Sequence, residues 1–273
     1  MLLSPRAALA TRHGKEAIFA PALARLGVEV VVAPLDTDIF GTFSGERERE
    51  GTPLEVVERK ARAAADATGL TVGLASEGSF GTHPTVPFAI VDTELVAWVD
   101  TAIDHVVIER AASISAVAPT ESIDDPDRCA DLRVVRGFPE QAAIVVIDRH
   151  GARTVVAKEV RDIDTLRVAV TEGLRYGPVL VEPDLRAHCC PDRRTVIATA
   201  VGRLADRLTR RCPACDTCGF GSDRTLPGQP CALCGLATTR PRADVLECGR
   251  CGHTVIEARA GEADPTHCDR CNP

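Results

Sequence analysis

The chain has 273 residues, 45% hydrophobic and 26% charged, which places it among globular proteins and excludes collagen-like and wholly disordered chains. Its formal charge of -7 supplies no basic footprint for nucleic acid, and no apolar run reaches the roughly 18 residues of a membrane span. Nine of the 12 cysteines lie at or beyond Cys212, and only Cys129, Cys189 and Cys190 precede it.

The N-terminal MLLSPRAALATRHGKE meets Arg6 too soon to form the apolar core of a signal peptide, so a cytoplasmic location is expected. A helix is predicted from about Glu16 to Leu26, with Phe19, Leu23 and Leu26 on one face, followed by a buried strand over Val28–Ala33. The next helix has a clear start, with Thr52 as cap, Pro53 at the first position and Glu55 completing a capping box; Gly69 ends it. Short strands are predicted at 71–76, 94–100 and 105–110, and a helix from Pro126 to Arg136. Residues 142–147 and 153–158 read as a hairpin through the turn 148–152, then a helix over 164–176, a strand over 178–182 and a helix from Pro191. This alternation predicts an α/β layered domain with a mixed sheet over residues 1–211, followed by a C-terminal tandem zinc-ribbon tail over 212–273.

The tail carries four Cys-x-x-Cys pairs, Cys212–Cys215, Cys231–Cys234, Cys248–Cys251 and Cys268–Cys271. Such repeats in a reducing compartment favour metal thiolates over disulfides, and two pairs complete one tetrahedron. Two structural zinc sites are therefore expected. The simplest grouping is successive: Cys212, Cys215, Cys231 and Cys234, then Cys248, Cys251, Cys268 and Cys271. Cys218 is surplus, and His253 and His267 are spare ligands. The tail has six Arg against eight Asp and Glu, which argues against nucleic acid as its partner.

Four polar clusters flank the apolar segments of the main domain. ATRHGKE (10–16) places Thr11, His13 and Lys15 at a loop-to-helix junction able to hold phosphate. Asp36, Asp38 and Glu46 follow a strand, where α/β sheets place ligands. The run Glu46–Glu50 reads mostly as surface charge. LASEGSFGTHP (74–84) sets Glu77 among Ser76, Gly78, Ser79 and Gly81 in a flexible turn, the arrangement of a metal-binding or water-activating acid. EPDLRAHCCPDRR (182–194) offers Asp184, Arg186 and His188; the adjoining Cys189 and Cys190 lack an orienting third group for nucleophilic catalysis.

The strings ATRHGKE, DTDIFGTFSGE, GLASEGSFGTHP, EPDLRAH and CPAC, with the final CDRCNP, resemble an uncharacterised bacterial family of unknown function. Residues 10–80 are also similar to inosine triphosphate pyrophosphatases, magnesium-dependent α/β enzymes that hydrolyse noncanonical nucleoside triphosphates. That resemblance implies phosphate binding by Thr11 and Lys15, with His13 where an Asn is usual. It matches Lys60–Ala61 to a lysine–alanine helix element and Ser76–Glu77–Gly78–Ser79 to an acid-bearing turn. Arg186–Ala187–His188 is similar to a late substrate-binding element.

Two functions follow as expectations. One is a magnesium-dependent phosphohydrolase acting on a nucleotide or related phosphate compound. In it Lys15, Arg186 and His188 neutralise phosphate, Glu46 and Glu77 hold magnesium, Glu77 or Asp36 aligns water, and Thr11, His13, Lys60 and Ser79 contact substrate. The alternative is a non-enzymatic module that binds a nucleotide in the α/β domain or docks a protein partner on the ribbons. Neither involves a membrane.

Overall fold

A computed structural model describes residues 3–83, 86, 88–149 and 151–273. Pro84 of the third polar cluster and His150 of the hairpin turn lie outside the described residues. The first sheet contains β1 (Arg6–Ala10), β2 (Glu29–Val32), β3 (Val72–Thr82), β4 (Ile90–Asp100) and β5 (His105–Ile114) in the order β2-β1-β3-β4-β5. β1 runs parallel to both β2 and β3, while β4 and β5 are antiparallel, so the sheet is mixed as expected. α1 (Glu16–Ala24) connects β1 to β2, and α2 (Pro53–Thr68) connects β2 to β3.

The two faces of β1 explain the layering. Successive strand side chains point to opposite sides. Ala8 and Ala10 join Val57, Ala61 and Ala64 of α2, whereas Ala7 and Leu9 join Phe19 and Leu23 of α1. α4 (Pro191–Leu208) completes that second layer through Ile197, Val201 and Leu204. Alanines on the α2 side let helix and sheet approach closely, and a Cβ at Gly73 would collide with the Ala61 carbonyl. The capping box is present: Thr52 Oγ1 accepts from Glu55 N, and Thr52 N donates to the Glu55 carboxylate at 2.8 Å.

Two expectations need correction here. The segment containing Glu77 is not a flexible turn, because β3 continues to Thr82 and pairs with β4 along its whole length. Gly78 serves a close contact, since a Cβ there would collide with Glu94 and Arg193, while a Cβ at Gly81 would meet nothing within 4 Å. The helix expected over 126–136 is instead two 3₁₀ turns, Pro126–Asp131 and Arg133–Gly137, separated by the extended backbone of Leu132. β1 was also hidden in the sequence, being five residues long and mostly alanine.

A second, antiparallel sheet has the order β6-β9-β7-β8, from β6 (Glu121–Ile123), β7 (Ala143–Arg149), β8 (Ala152–Val160) and β9 (Val179–Pro183). α3 (Ile163–Leu174) covers it with Leu166 and Val170. The tail forms a meander of β10 (Gly221–Pro227), β11 (Pro241–Glu247) and β12 (Thr254–Ala258). It rests on the first sheet and on α4: His105 Nε2 of β5 donates to the Cys218 carbonyl at 2.9 Å, and Arg207 Nε of α4 donates to the Gly219 carbonyl. No helix among the described residues is long and apolar enough to cross a membrane.

Candidate functional site

The eight paired cysteines gather into two clusters of four, but not in the successive grouping. Cys212 and Cys215 meet Cys248 and Cys251, and Cys231 and Cys234 meet Cys268 and Cys271. The reason lies in the meander. A seven-residue strand spans about 23 Å at the usual rise, so β10 carries the first and second pairs to opposite ends. Antiparallel β11 returns the third pair to the first, and β12 carries the chain back toward the second. The clusters are therefore interleaved. Sγ–Sγ separations are 3.7 and 3.6 Å in one cluster and 3.9 and 3.6 Å in the other. A tetrahedron of sulfurs about 2.3 Å from a central ion has edges of about 3.8 Å, whereas a disulfide needs about 2.05 Å. Both clusters fit a metal ion. Cys218, His253 and His267 belong to neither.

The polar clusters converge at a second place. In the strand order 2-1-3, α1 and α2 leave on opposite faces, and the C-terminal ends of β1 and β3 flank the resulting crevice. A cavity of about 110 Å³ lies there, walled by Lys15, Arg49, Lys60, Lys158, Arg186 and Arg193 against Asp38, Glu46 and Glu77. The second sheet contributes Lys158 from β8 and Arg186 from the loop after β9. The whole chain has only three lysines among its 32 basic side chains, and all three line this cavity.

Most of these charges are committed to partners. Glu77 Oε2 accepts from Lys60 Nζ at 2.5 Å and Glu77 Oε1 lies 3.1 Å from Arg49 Nε. Arg49 also donates to the Gly78 carbonyl, so part of the expected surface-charge run is built into the site. Glu46 Oε2 accepts from Ser44 and Lys158, each at 2.6 Å. Arg186 is held by Asp184, which is fully buried. Arg193, 2% exposed, donates from Nε to Glu94 and from Nη1 to the Leu185 carbonyl, and stacks on Phe43 at 3.7 Å. Its Nη2 is buried with no hydrogen-bond partner among the described residues.

Lys15 differs from the rest. Its amine is buried and donates to Ser76 Oγ at 2.9 Å, with no carboxylate in contact among the described residues. Burial first, then Arg193 and Lys60, lower its pKa to about 7, with Glu94 and Glu77 acting in the opposite direction. His13 is pushed down to about 3 by burial and then by His188 and the neighbouring cations, so its ring is neutral. It stacks on His188, with centroids 4.7 Å apart.

Of the expected site residues, the cavity thus assembles His13, Lys15, Glu46, Lys60, Glu77 and Arg186. It does not include four others. Asp36 is on the surface, bound to Arg12 at 2.7 Å, and the Asp38 backbone N–H and that guanidinium hold its carboxyl below the usual range. Thr11 uses its hydroxyl to accept from the backbone N–H groups of His13 and Lys15, shaping the turn. Ser79 lies on β3 opposite Thr93, outside the cavity wall. His188 sits behind His13, 3.4 Å from Glu159. Cys189 does gather with His188 and Glu159, their side-chain ligand atoms within 4.8 Å of one another, but burial pushes its thiol up to about 12.

A family model described as a domain of unknown function, DUF6671, matches residues 60–273. The chain belongs to this family. No curated protein and no solved structure matches it. No family model supports the likeness to inosine triphosphate pyrophosphatases. The DUF6671 match takes in Lys60, Glu77, Arg186, Arg193 and both cysteine clusters, and so runs across the expected boundary at residue 211.

One further acid adjoins the site. Asp92 follows the strand alternation to the same face as Glu94, and its Oδ1 is buried without a partner among the described residues. Burial, and then Glu94, raise its pKa to about 7. Because the folded value lies above the unfolded one, the proton it holds contributes stability at low pH that is lost as pH rises through about 7. Asp92→Asn is therefore expected to gain about 1–3 kcal/mol over the parent at pH 8 and less at pH 5, measured by urea unfolding.

Proposed function

We propose that the cavity between the two sheets binds a small metabolite through its phosphate or carboxylate group, and that the cysteine clusters hold two structural zinc ions. The observation that carries the first part is the buried Lys15 amine, with no carboxylate counterpart, beside the unpartnered Nη2 of Arg193. An oxyanion entering there gains two donors already desolvated and relieves repulsion among crowded cations. A nucleotide would enter phosphate first.

The phosphohydrolase and the nucleotide-binding module share this binding step; docking of a protein on the ribbons does not. The phosphohydrolase reading also needs a divalent cation, and the donor set does not favour one. Glu77 gives both oxygens to Lys60 and Arg49, and Glu46 gives its Oε2 to both Ser44 and Lys158. Glu77 acts instead as the anchor that fixes two cations. The second part rests on sulfur geometry: four thiolates close each ion completely, so each site staples strands and offers no open position for catalysis.

Thermal unfolding with inorganic phosphate tests the first part. Phosphate at 100 times its Kd is expected to stabilise the full chain by about 2.7 kcal/mol, in EDTA-free buffer without magnesium. Lys15→Met should remove most of that gain. No response to phosphate, pyrophosphate or malonate, or a response that requires magnesium, would overturn the reading.

A further inference from the structure

Lysine is conspicuous in this chain for its scarcity. Of 32 Lys and Arg residues only Lys15, Lys60 and Lys158 are lysine, and all three line one cavity. For holding an oxyanion, Arg serves at least as well, since its fork matches carboxylate and phosphate with two parallel hydrogen bonds. What Lys does and Arg cannot is give up its proton near neutral pH and act as a nucleophile. Among the three, Lys60 is taken by Glu77 at 2.5 Å and Lys158 by Glu46 at 2.6 Å. Lys15 alone has an amine whose recorded partner is a neutral hydroxyl, that of Ser76.

We propose that Lys15 forms an imine with a small carbonyl compound whose carboxylate or phosphate group is held by the cations of the same cavity. This rests on the oxyanion reading above and adds a covalent step. The Nζ lone pair attacks the carbonyl carbon and the C=O π pair moves to oxygen, which takes up one amine proton. The resulting carbinolamine loses its hydroxyl together with the second amine proton as water, and the C=N bond forms. Amine and carbonyl thus become imine and water, with no oxidant or reductant. Ser76 Oγ is the hydroxyl placed to carry the transferred proton.

The surroundings suit this chemistry. A lysine becomes nucleophilic when desolvated or set beside other cations, and Lys15 is both, with Arg193 and Lys60 as its principal cationic neighbours. A pKa of about 7 leaves about half of the amine unprotonated at pH 7, against roughly one part in three thousand for an ordinary lysine. Lys15 follows directly after Gly14, whose positive φ of 65° turns the chain from β1 into α1. The amine is thus presented by a fixed turn at the crevice rather than by a mobile loop.

The test is reductive trapping on the intact zinc-loaded chain. Pyruvate (the carboxylate source) or dihydroxyacetone phosphate (the phosphate source) is added with borohydride, and labelled peptides are mapped by mass spectrometry. The expected result is an irreversible adduct on Lys15, more than about 100-fold above Lys60 and Lys158, whose amines are held by the Glu77 and Glu46 carboxylates. The more efficient probe identifies the oxyanion, and inorganic phosphate should suppress labelling. Lys15→Met should abolish it, but the wild-type map stands even if that variant fails to fold. Label spread evenly over the three lysines and the α-amine, or confined to sites other than Lys15, overturns the imine. If phosphate still stabilises the protein in that case, the oxyanion site survives alone; if it does not, both readings fall.

Discussion

The double variant Cys212→Ser with Cys248→Ser is expected to retain one zinc ion per chain, while Cys212→Ser with Cys231→Ser retains none. Both substitutions of the first variant fall in one cluster of the interleaved arrangement, whereas those of the second disable both clusters. Successive ribbons would give the reverse pattern, so metal content by mass spectrometry decides between them. Complete removal of metal by a strong chelator is expected to unfold the meander. Its apolar contribution is small: Phe220 and Leu246 cluster with Cys212 and Cys248, and Ala243, Val245 and Ala263 are also buried, whereas structural zinc supplies on the order of 10 kcal/mol or more in such modules. Loss of β10–β12 should expose amides to hydrogen exchange there while β1–β4 stay protected.

Breaking the Arg193–Glu94 pair has the next largest expected effect. Both side chains are buried, Arg193 at 2% and Glu94 at 0% exposure. Arg193→Met leaves the Glu94 carboxylate without its cation and removes the stack on Phe43. Removing one partner of a buried pair costs about 3–5 kcal/mol. Replacing both, as Arg193→Met with Glu94→Gln, should restore much of the stability, because no isolated charge remains. Urea unfolding of the two variants checks this; equal stability of the single and double variants would show that Glu94 is not the source of the cost. Phosphate stabilisation should be weak in both, since each lacks the guanidinium that lines the cavity.

Local signals in the sequence carried much of the fold. Thr52, Pro53 and Glu55 marked the start of α2 because capping is written in adjacent residues. The hairpin of β7 and β8 and the helix from Pro191 were legible for the same reason, and so was a strand after α1, although β2 lies at the sheet edge and is half-exposed rather than buried as expected. The glycines and serines around Glu77 suggest a turn because such residues usually mark loops, yet here Gly78 makes room for Arg193 and Glu94 within a strand. The cysteine ligands were legible as a set, but spacing cannot say which pairs meet; strand direction does that.

The site was legible in part. Lys15, Lys60, Glu77 and Arg186 stood out by type and position, and they do share one cavity. Arg49 was hidden inside a charge run, and Arg193 and Lys158 looked like ordinary basic residues, because their partners are distant in sequence. One signal was available without structure: three lysines in a chain so rich in arginine.

The interleaved clusters also set the order in which the tail can be finished during synthesis. Neither metal site is complete when Cys234 leaves the ribosome, although four paired cysteines are by then in the open. The first closes only with Cys251 and the second only with Cys271. At about 5–20 residues per second, the interval from Cys234 to Cys251 lasts roughly one to three seconds. Throughout it, the first and second pairs could capture one ion between them and form a wrong ribbon. Resolving that trap requires ligand exchange at whatever metal ion is held, so the rate of metal exchange, rather than of strand pairing, should limit how fast the tail matures.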